Sequence, residues 1–136
     1  MGVFNRNIVD DNYNQTDVAL PAADGVSYSA TIDLGDVDSV GENHELLITV
    51  PDLTVTHLPN ADTLTVAVCA GAATDPTALI ADSIEVFTGA GGAGASGTST
   101  RFRLPSDCPR YVRVRFTAAG GTGDMSAVDA VVGLRF

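Results

Sequence analysis

The sequence predicts an all-β protein of antiparallel strands. Three observations lead there: short alternating runs rich in Val, Ile and Leu, turn clusters between those runs, and no convincing helical periodicity. At 136 residues the chain fits one domain, large enough to bury roughly two thirds of the surface its unfolded form exposes. The 14 glycines and 6 prolines fall largely between the apolar runs, where turns use them.

Residues 1–25 read as an extended N-terminal arm. Asn5, Asn7, Asn12, Asn14 and Gln15 stand among aspartates with no strand or helix period. Phe4, Ile8, Tyr13 and Val18 are too sparse for a core and suit docking on a neighbour. A single β domain is expected over residues 26–136. Val26, Tyr28, Ala30, Ile32 and Leu34 alternate with small polar residues, and turn chemistry follows to Asn43. Leu46, Ile48 and Val50 form a second run that Pro51 stops, and Leu53 to Thr56 is a short stretch before the Pro59-Asn60 turn. Leu64, Val66 and Val68 alternate with Thr63, Thr65 and Ala67, as a strand with one buried face should. Leu79 to Thr88 reads as a further strand, although Ala78 to Ala81 alone resembles a helical turn.

In the last third, Phe102 and Leu104 face one way, Pro105 to Pro109 turn the chain, and Val112, Val114 and Phe116 resume the inward series. After Gly120 to Gly123, the final strand carries Val128, Ala130, Val132, Leu134 and Phe136 on one face. Seven or eight such strands leave a sandwich, a jelly roll or a small barrel.

The charge is lopsided. Seventeen acids face seven basic residues, all of them Arg, for a net charge of −10. That balance argues against a nucleic-acid surface, whose affinity comes from cations neutralising phosphates. Residues 1–100 hold 14 acids and one Arg, and residues 101–136 hold three acids and six Arg, a polarity that invites pairing within or between copies. No secretory leader pattern and no membrane-spanning run is visible. Cys69, in an alternating run, and Cys108, in a Pro-flanked turn, read as two free thiols with at least one buried, as expected in a reducing compartment.

Chemical motifs are thin. Gly89, Gly91 and Gly94 have the G-x-G-x-x-G spacing, but a Gly/Ser/Thr-rich run follows instead of a helix, so a flexible hairpin tip is the better reading than a dinucleotide site. His44 and His57 are the only histidines and read as surface residues, with no zinc spacing and no nucleophile elbow around Ser96. Asp36 and Asp38 could offer oxygens to Ca²⁺, but Val40 stands where an EF-hand needs a third ligand, and a solvated acidic turn is the ordinary account. No catalytic residues, metal or cofactor are assigned, and no enzyme activity is expected.

The arginines are the most informative set. If the strands holding Phe102 and Val114 pair as a hairpin, Arg101, Arg103, Arg113 and Arg115 share one outward face beside Tyr111, with Arg135 a further candidate. Such a face is either solvated and screened by the chain's own acids or a grip on carboxylates of a partner through bidentate hydrogen bonds. With Phe4 and Tyr13 of the arm, these residues form the candidate interface.

The segments Leu58-Pro59-Asn60-Ala61-Asp62-Thr63-Leu64-Thr65-Val66, Arg101-Phe102-Arg103-Leu104-Pro105 and Arg110-Tyr111-Val112-Arg113-Val114-Arg115, closed by the Gly-rich turn and last strand, carry a resemblance. Over residues 46–136 the chain resembles the capsid cement, or decoration, proteins of tailed phages of the Bordetella-phage type. The resemblance implies a jelly-roll-like antiparallel β-sandwich that forms a homodimer or homotrimer. It implies docking on the outer surface of the head, against the major capsid protein, in particles assembled in a bacterial cytoplasm. It implies no catalysis and no direct contact with nucleic acid or membrane. The alternative is a carbohydrate-binding or adhesion module on a virion surface, since similar sandwiches serve as lectins. That alternative wants exposed aromatics, and the chain has no Trp and only Tyr13, Tyr28 and Tyr111.

Overall fold

A strand with apolar residues at every second position must bury one face, and the strands here bury theirs in one shared layer. The computed structural model describes residues 16–34, 44–105, 107–121 and 123–135. They form β1 (Thr16–Ala19), β2 (Val26–Tyr28), β3 (Ile32–Asp33), β4 (Glu45–Val50), β5 (Thr63–Gly71), β6 (Leu79–Thr88), β7 (Thr98–Arg103), β8 (Tyr111–Ala119) and β9 (Asp129–Arg135). No helix occurs among the described residues.

The first sheet runs β1-β9-β4-β7 and the second β2-β8-β5-β6, with β3 also pairing with β8. All pairings are antiparallel. Strands β2 and β3 lie along the same neighbour, and β5 and β6 pair directly. Every other step along the chain crosses from one sheet to the other. That winding makes the molecule an all-β jelly-roll sandwich.

The inward series are those the sequence predicts. Leu46, Ile48 and Val50 on β4 meet Leu64, Val66, Val68 and Ala70 on β5, and Val112, Val114 and Phe116 on β8 join Ala130, Val132 and Leu134 on β9. All are buried. At about 1.5–3 kcal/mol for each large apolar side chain removed from water, this layer is the main favourable contribution to folding.

The structure departs from expectation in four places, one of them the absent hairpin between β7 and β8. Among the described residues the sandwich already includes Thr16 to Leu20, ahead of Val26, because β1 pairs with β9 and places Val18 and Leu20 in the core. Val18 therefore belongs to the interior and not to a docking arm, while Phe4, Ile8 and Tyr13 lie outside the described residues.

Second, the run from Val26 to Leu34 does not keep one face. Tyr28 opposes Arg115 and Ile32 opposes Val112, so four steps on one strand span three on the other. The extra residue flips the parity. Ser29 stabilises the irregularity: its N–H donates to the Val114 carbonyl at 2.9 Å, and its Oγ accepts from the Val114 N–H at 2.9 Å. Val26 and Tyr28 consequently face outward while Ile32 faces the core.

Third, the Gly-rich segment is not a hairpin tip. It carries the chain from β6 in the second sheet to β7 in the first, against the β4–β5 connection. Leu53 and Ala95 exchange both backbone hydrogen bonds, at 2.8 and 2.9 Å. A Cβ on Gly94, whose φ is +68°, would strike the Leu53 carbonyl, and one on Gly89 would strike that of Pro59. These two glycines permit close backbone approach, and no helix N-terminus follows to hold a pyrophosphate.

Both cysteines are free and buried. Burial, helped by the nearby Asp107 carboxylate, pushes the Cys108 thiol up from 9.0 to about 11.

Two measurements check this account. Gly94→Ala should lower stability by about 2 kcal/mol or more in urea titrations, since it adds both left-handed strain and a backbone clash. Gly92→Ala, which meets open space, should stay within about 0.5 kcal/mol. For Cys108, the folded thiol keeps its proton where the unfolded one ionises, so its contribution is complete below pH 9 and disappears as pH rises toward 11. Cys108→Ala should flatten the fall in urea midpoint across that window.

Candidate functional site

Because β7 and β8 belong to different sheets, the expected arginine face does not exist. Arg101 and Arg103 lie outward on the first sheet, and Arg113 and Arg115 outward on the second, so the two pairs occupy opposite surfaces of the sandwich. The local two-residue period is obeyed in both strands. What fails is the assumed pairing between them, since Phe102 and Val114 bury into the shared layer from opposite sides.

The exterior of the first sheet satisfies itself. Glu45 stands in register between Arg103 and Arg135, and its carboxylate lies 3.9 Å from the Arg101 guanidinium. One row further, the Thr49 and Ser99 hydroxyls hydrogen bond at 3.0 Å. An exposed ion pair of this length is worth about 0–1 kcal/mol, and the face presents mixed polarity to solvent.

The exterior of the second sheet is built differently. At one end the β5–β6 connection folds over it and is held by Arg113. That guanidinium donates to the Pro76 carbonyl at 2.8 Å and the Asp75 carbonyl at 3.3 Å, lies 3.7 Å from the Asp75 carboxylate, and stacks 3.8 Å from the centre of the Tyr28 ring. The Asp75 carboxylate also accepts from the Thr31 hydroxyl at 3.1 Å, while the Asp75 N–H donates to that hydroxyl at 3.3 Å. Asp75 adopts φ 57°, a left-handed conformation that Asp tolerates better than most residues. Arg113 is thus a structural latch, its side chain only 12% exposed, and not a free guanidinium.

Nearby, Arg110 grips Asp33 with two hydrogen bonds of 2.7 and 3.0 Å and sits 5.2 Å from the Tyr111 ring centre. Tyr111 is half-buried. Between the rows sits Cys69, opposite Arg113 and fully covered although its parity is outward. Burial pushes its thiol up, and the charges of Arg115 and then Arg113 pull it partly back.

Beyond the latch the face is open. Val26, Thr117, Thr65 and Val86 form one continuous row across all four strands. Val26 and Val86 are 52% and 47% exposed, and Leu79, on the same sheet, is 37% exposed. In the adjacent row, Arg115 lies opposite Tyr28 on one side and Ala67 on the other. The Arg115 Nε is buried and has no hydrogen-bond partner among the described residues. Of the seven sequence candidates, the structure therefore places Arg115, Arg113 and Tyr111 on this sheet and Arg101 and Arg103 on the other. Phe4 and Tyr13 lie outside the described residues.

Val26, Val86 and Leu79 were not legible as surface residues. An apolar residue in a strand reads as core unless its neighbours in the sheet are known.

Elsewhere chemistry is sparse. The His57 Nδ1 accepts from the Thr54 N–H at 3.1 Å within a turn, and His44 is half-buried, with burial lowering its pKa. Among the described residues no three His, Cys, Asp or Glu side chains gather as metal ligands, and no helix is long and apolar enough to cross a membrane. Asp36 and Asp38 lie outside the described residues.

No known protein family matches the chain, nor does any curated protein. Among solved structures, a "Carbohydrate-Binding Module CBM36 in complex with calcium and xylotriose" aligns over 93% of this chain and 89% of its own, with 12% identity and a TM-score of 0.34.

The latch has a direct test. Arg113→Ala removes two carbonyl hydrogen bonds, an ion pair and a ring contact at once, and should lower stability by about 2 kcal/mol. Amide exchange should accelerate at residues 72–77 while β4 and β9 in the other sheet keep their relative protection.

Proposed function

We propose that this chain is a non-catalytic structural protein of a virus particle, docked on the outside of a tailed-phage head, where it reinforces the lattice of the major capsid protein. The observation that carries the reading is the exterior of the second sheet. It combines exposed aliphatics with an arginine that finds no carboxylate among the described residues of a chain that has 17 acids. Exposed apolar surface with an unpaired guanidinium is the composition of a protein interface.

The motif resemblance supports the same reading. Arg101-Phe102-Arg103-Leu104-Pro105 ends β7, and Arg110-Tyr111-Val112-Arg113-Val114-Arg115 opens β8, so the quoted segments flank one sheet-to-sheet crossing. A protein repeated over a shell needs only modest contacts per copy, because symmetry and avidity multiply them. Binding the assembled lattice and not its separated subunits stabilises the lattice by mass action.

The carbohydrate-binding alternative is weaker on the same face. Sugar stacking uses open ring faces, yet Tyr28 is stacked by Arg113 and Tyr111 is approached by Arg110.

Cryo-electron microscopy of particles of the virus that encodes the chain tests the proposal. Regularly spaced copies should appear on the outer surface, and heads assembled without the chain should release their DNA at lower temperature. Purified particles that lack the chain would reject it.

A further inference from the structure

The row Val26, Thr117, Thr65, Val86 runs across the strands and not along them. With neighbouring strands about 4.8 Å apart, its two exposed valines stand roughly 14 Å from each other. Arg115 lies in the next row, between them in strand order, on β8. An extended segment rises about 3.3 Å per residue and shows every second side chain to one side, so its positions i−2 and i+2 are separated by roughly 13 Å. The two spacings agree.

We propose that this strip receives an extended segment of the capsid protein with the pattern apolar-x-acid-x-apolar. Its central Asp or Glu would engage Arg115, and its flanking apolar side chains would cover Val26 and Val86. The inference rests on the reading of the chain as a head-docking protein and names the chemistry of the partner at that surface.

Three features favour this occupant. The first is charge: Arg115 makes no ion pair among the described residues. A guanidinium held that way gains most from a carboxylate, which accepts two parallel hydrogen bonds. The second is the latch, which takes Arg113 out of contention by binding it to Asp75, Pro76 and Tyr28 and leaves Arg115 as the cation for an incoming acid. The third is shape. Thr117 and Thr65, between the valines, are half-buried and short, so a chain crossing there meets a shallow floor and not a ridge.

Binding of the full chain to expanded heads assembled without it decides the matter. Arg115→Ala and Val86→Asp should each reduce occupancy about 10-fold or more at fixed concentration, and Arg115→Lys should fall between these and the parent. Ser99→Asp adds the same charge to the exterior of the other sheet and should change occupancy less than about 2-fold. Parent binding should also weaken as salt rises. If Arg115→Ala fails to fold, Val86→Asp and Val26→Asp, both at exposed positions, carry the test. Parent binding that these changes leave intact, or that Ser99→Asp abolishes equally, overturns the strip while the head-docking reading stands. A parent chain that never binds the heads overturns both.

Discussion

Everything in this molecule depends on one constraint: both sheets must fill the same apolar layer. A strand leaving one sheet has its inward side chains already committed, and when the chain crosses over, the next strand must present its apolar face to that layer from the other side. Phe102 with Leu104 and Val112 with Val114 obey this across the β7–β8 crossing. Their outward neighbours are then carried to opposite surfaces. The distribution of arginines over the molecule therefore follows from the burial of valines, leucines and phenylalanines between them.

The same constraint explains how far the sequence could be read. Where a strand keeps a strict two-residue period, as in Leu64-Val66-Val68 or Val112-Val114-Phe116, its buried face is legible because the rule needs only the strand itself. Two kinds of information were not local. One is parity: the bulge around Ser29 reverses the faces on either side of it, and β6 carries register shifts opposite Val66, Val68 and Cys69. The other is partnership. Nothing in residues 98–119 tells a hairpin from a crossing, since both need a Pro-bearing turn and both leave alternating strands. Strand β1 was missed for a third reason: four residues with Val18 as the single large apolar side chain are too few to show a period.

The two exteriors have diverged in how they handle polar groups. On the first sheet, acids, hydroxyls and guanidiniums are interleaved, so the face can remain in water at little cost. The second sheet spends its polarity at one end. Arg113, Asp75, Thr31 and Arg110 with Asp33 close that end through local hydrogen bonds, and they also tie the β5–β6 connection to the β2–β3 segment across β8. The latch pins the β5–β6 connection, which stays within one sheet and so has no opposite layer to fasten it. Among the described residues no ion pair lies on the rest of the face.

Arg115 follows from this arrangement. Its neighbours in the sheet are Tyr28 and Ala67, and its Nε is buried with no hydrogen-bond partner among the described residues. Burying part of a guanidinium without an acceptor disfavours the isolated fold. An apolar side chain at position 115 would avoid that penalty and cover Ala67 as well. Val26 and Val86 repeat the pattern in apolar terms, since exposed valines on a strand contribute little to the monomer and gain by being covered. The charge of Arg115 and the methyl groups of Val26 and Val86 thus lie together on the part of the face that the latch leaves open.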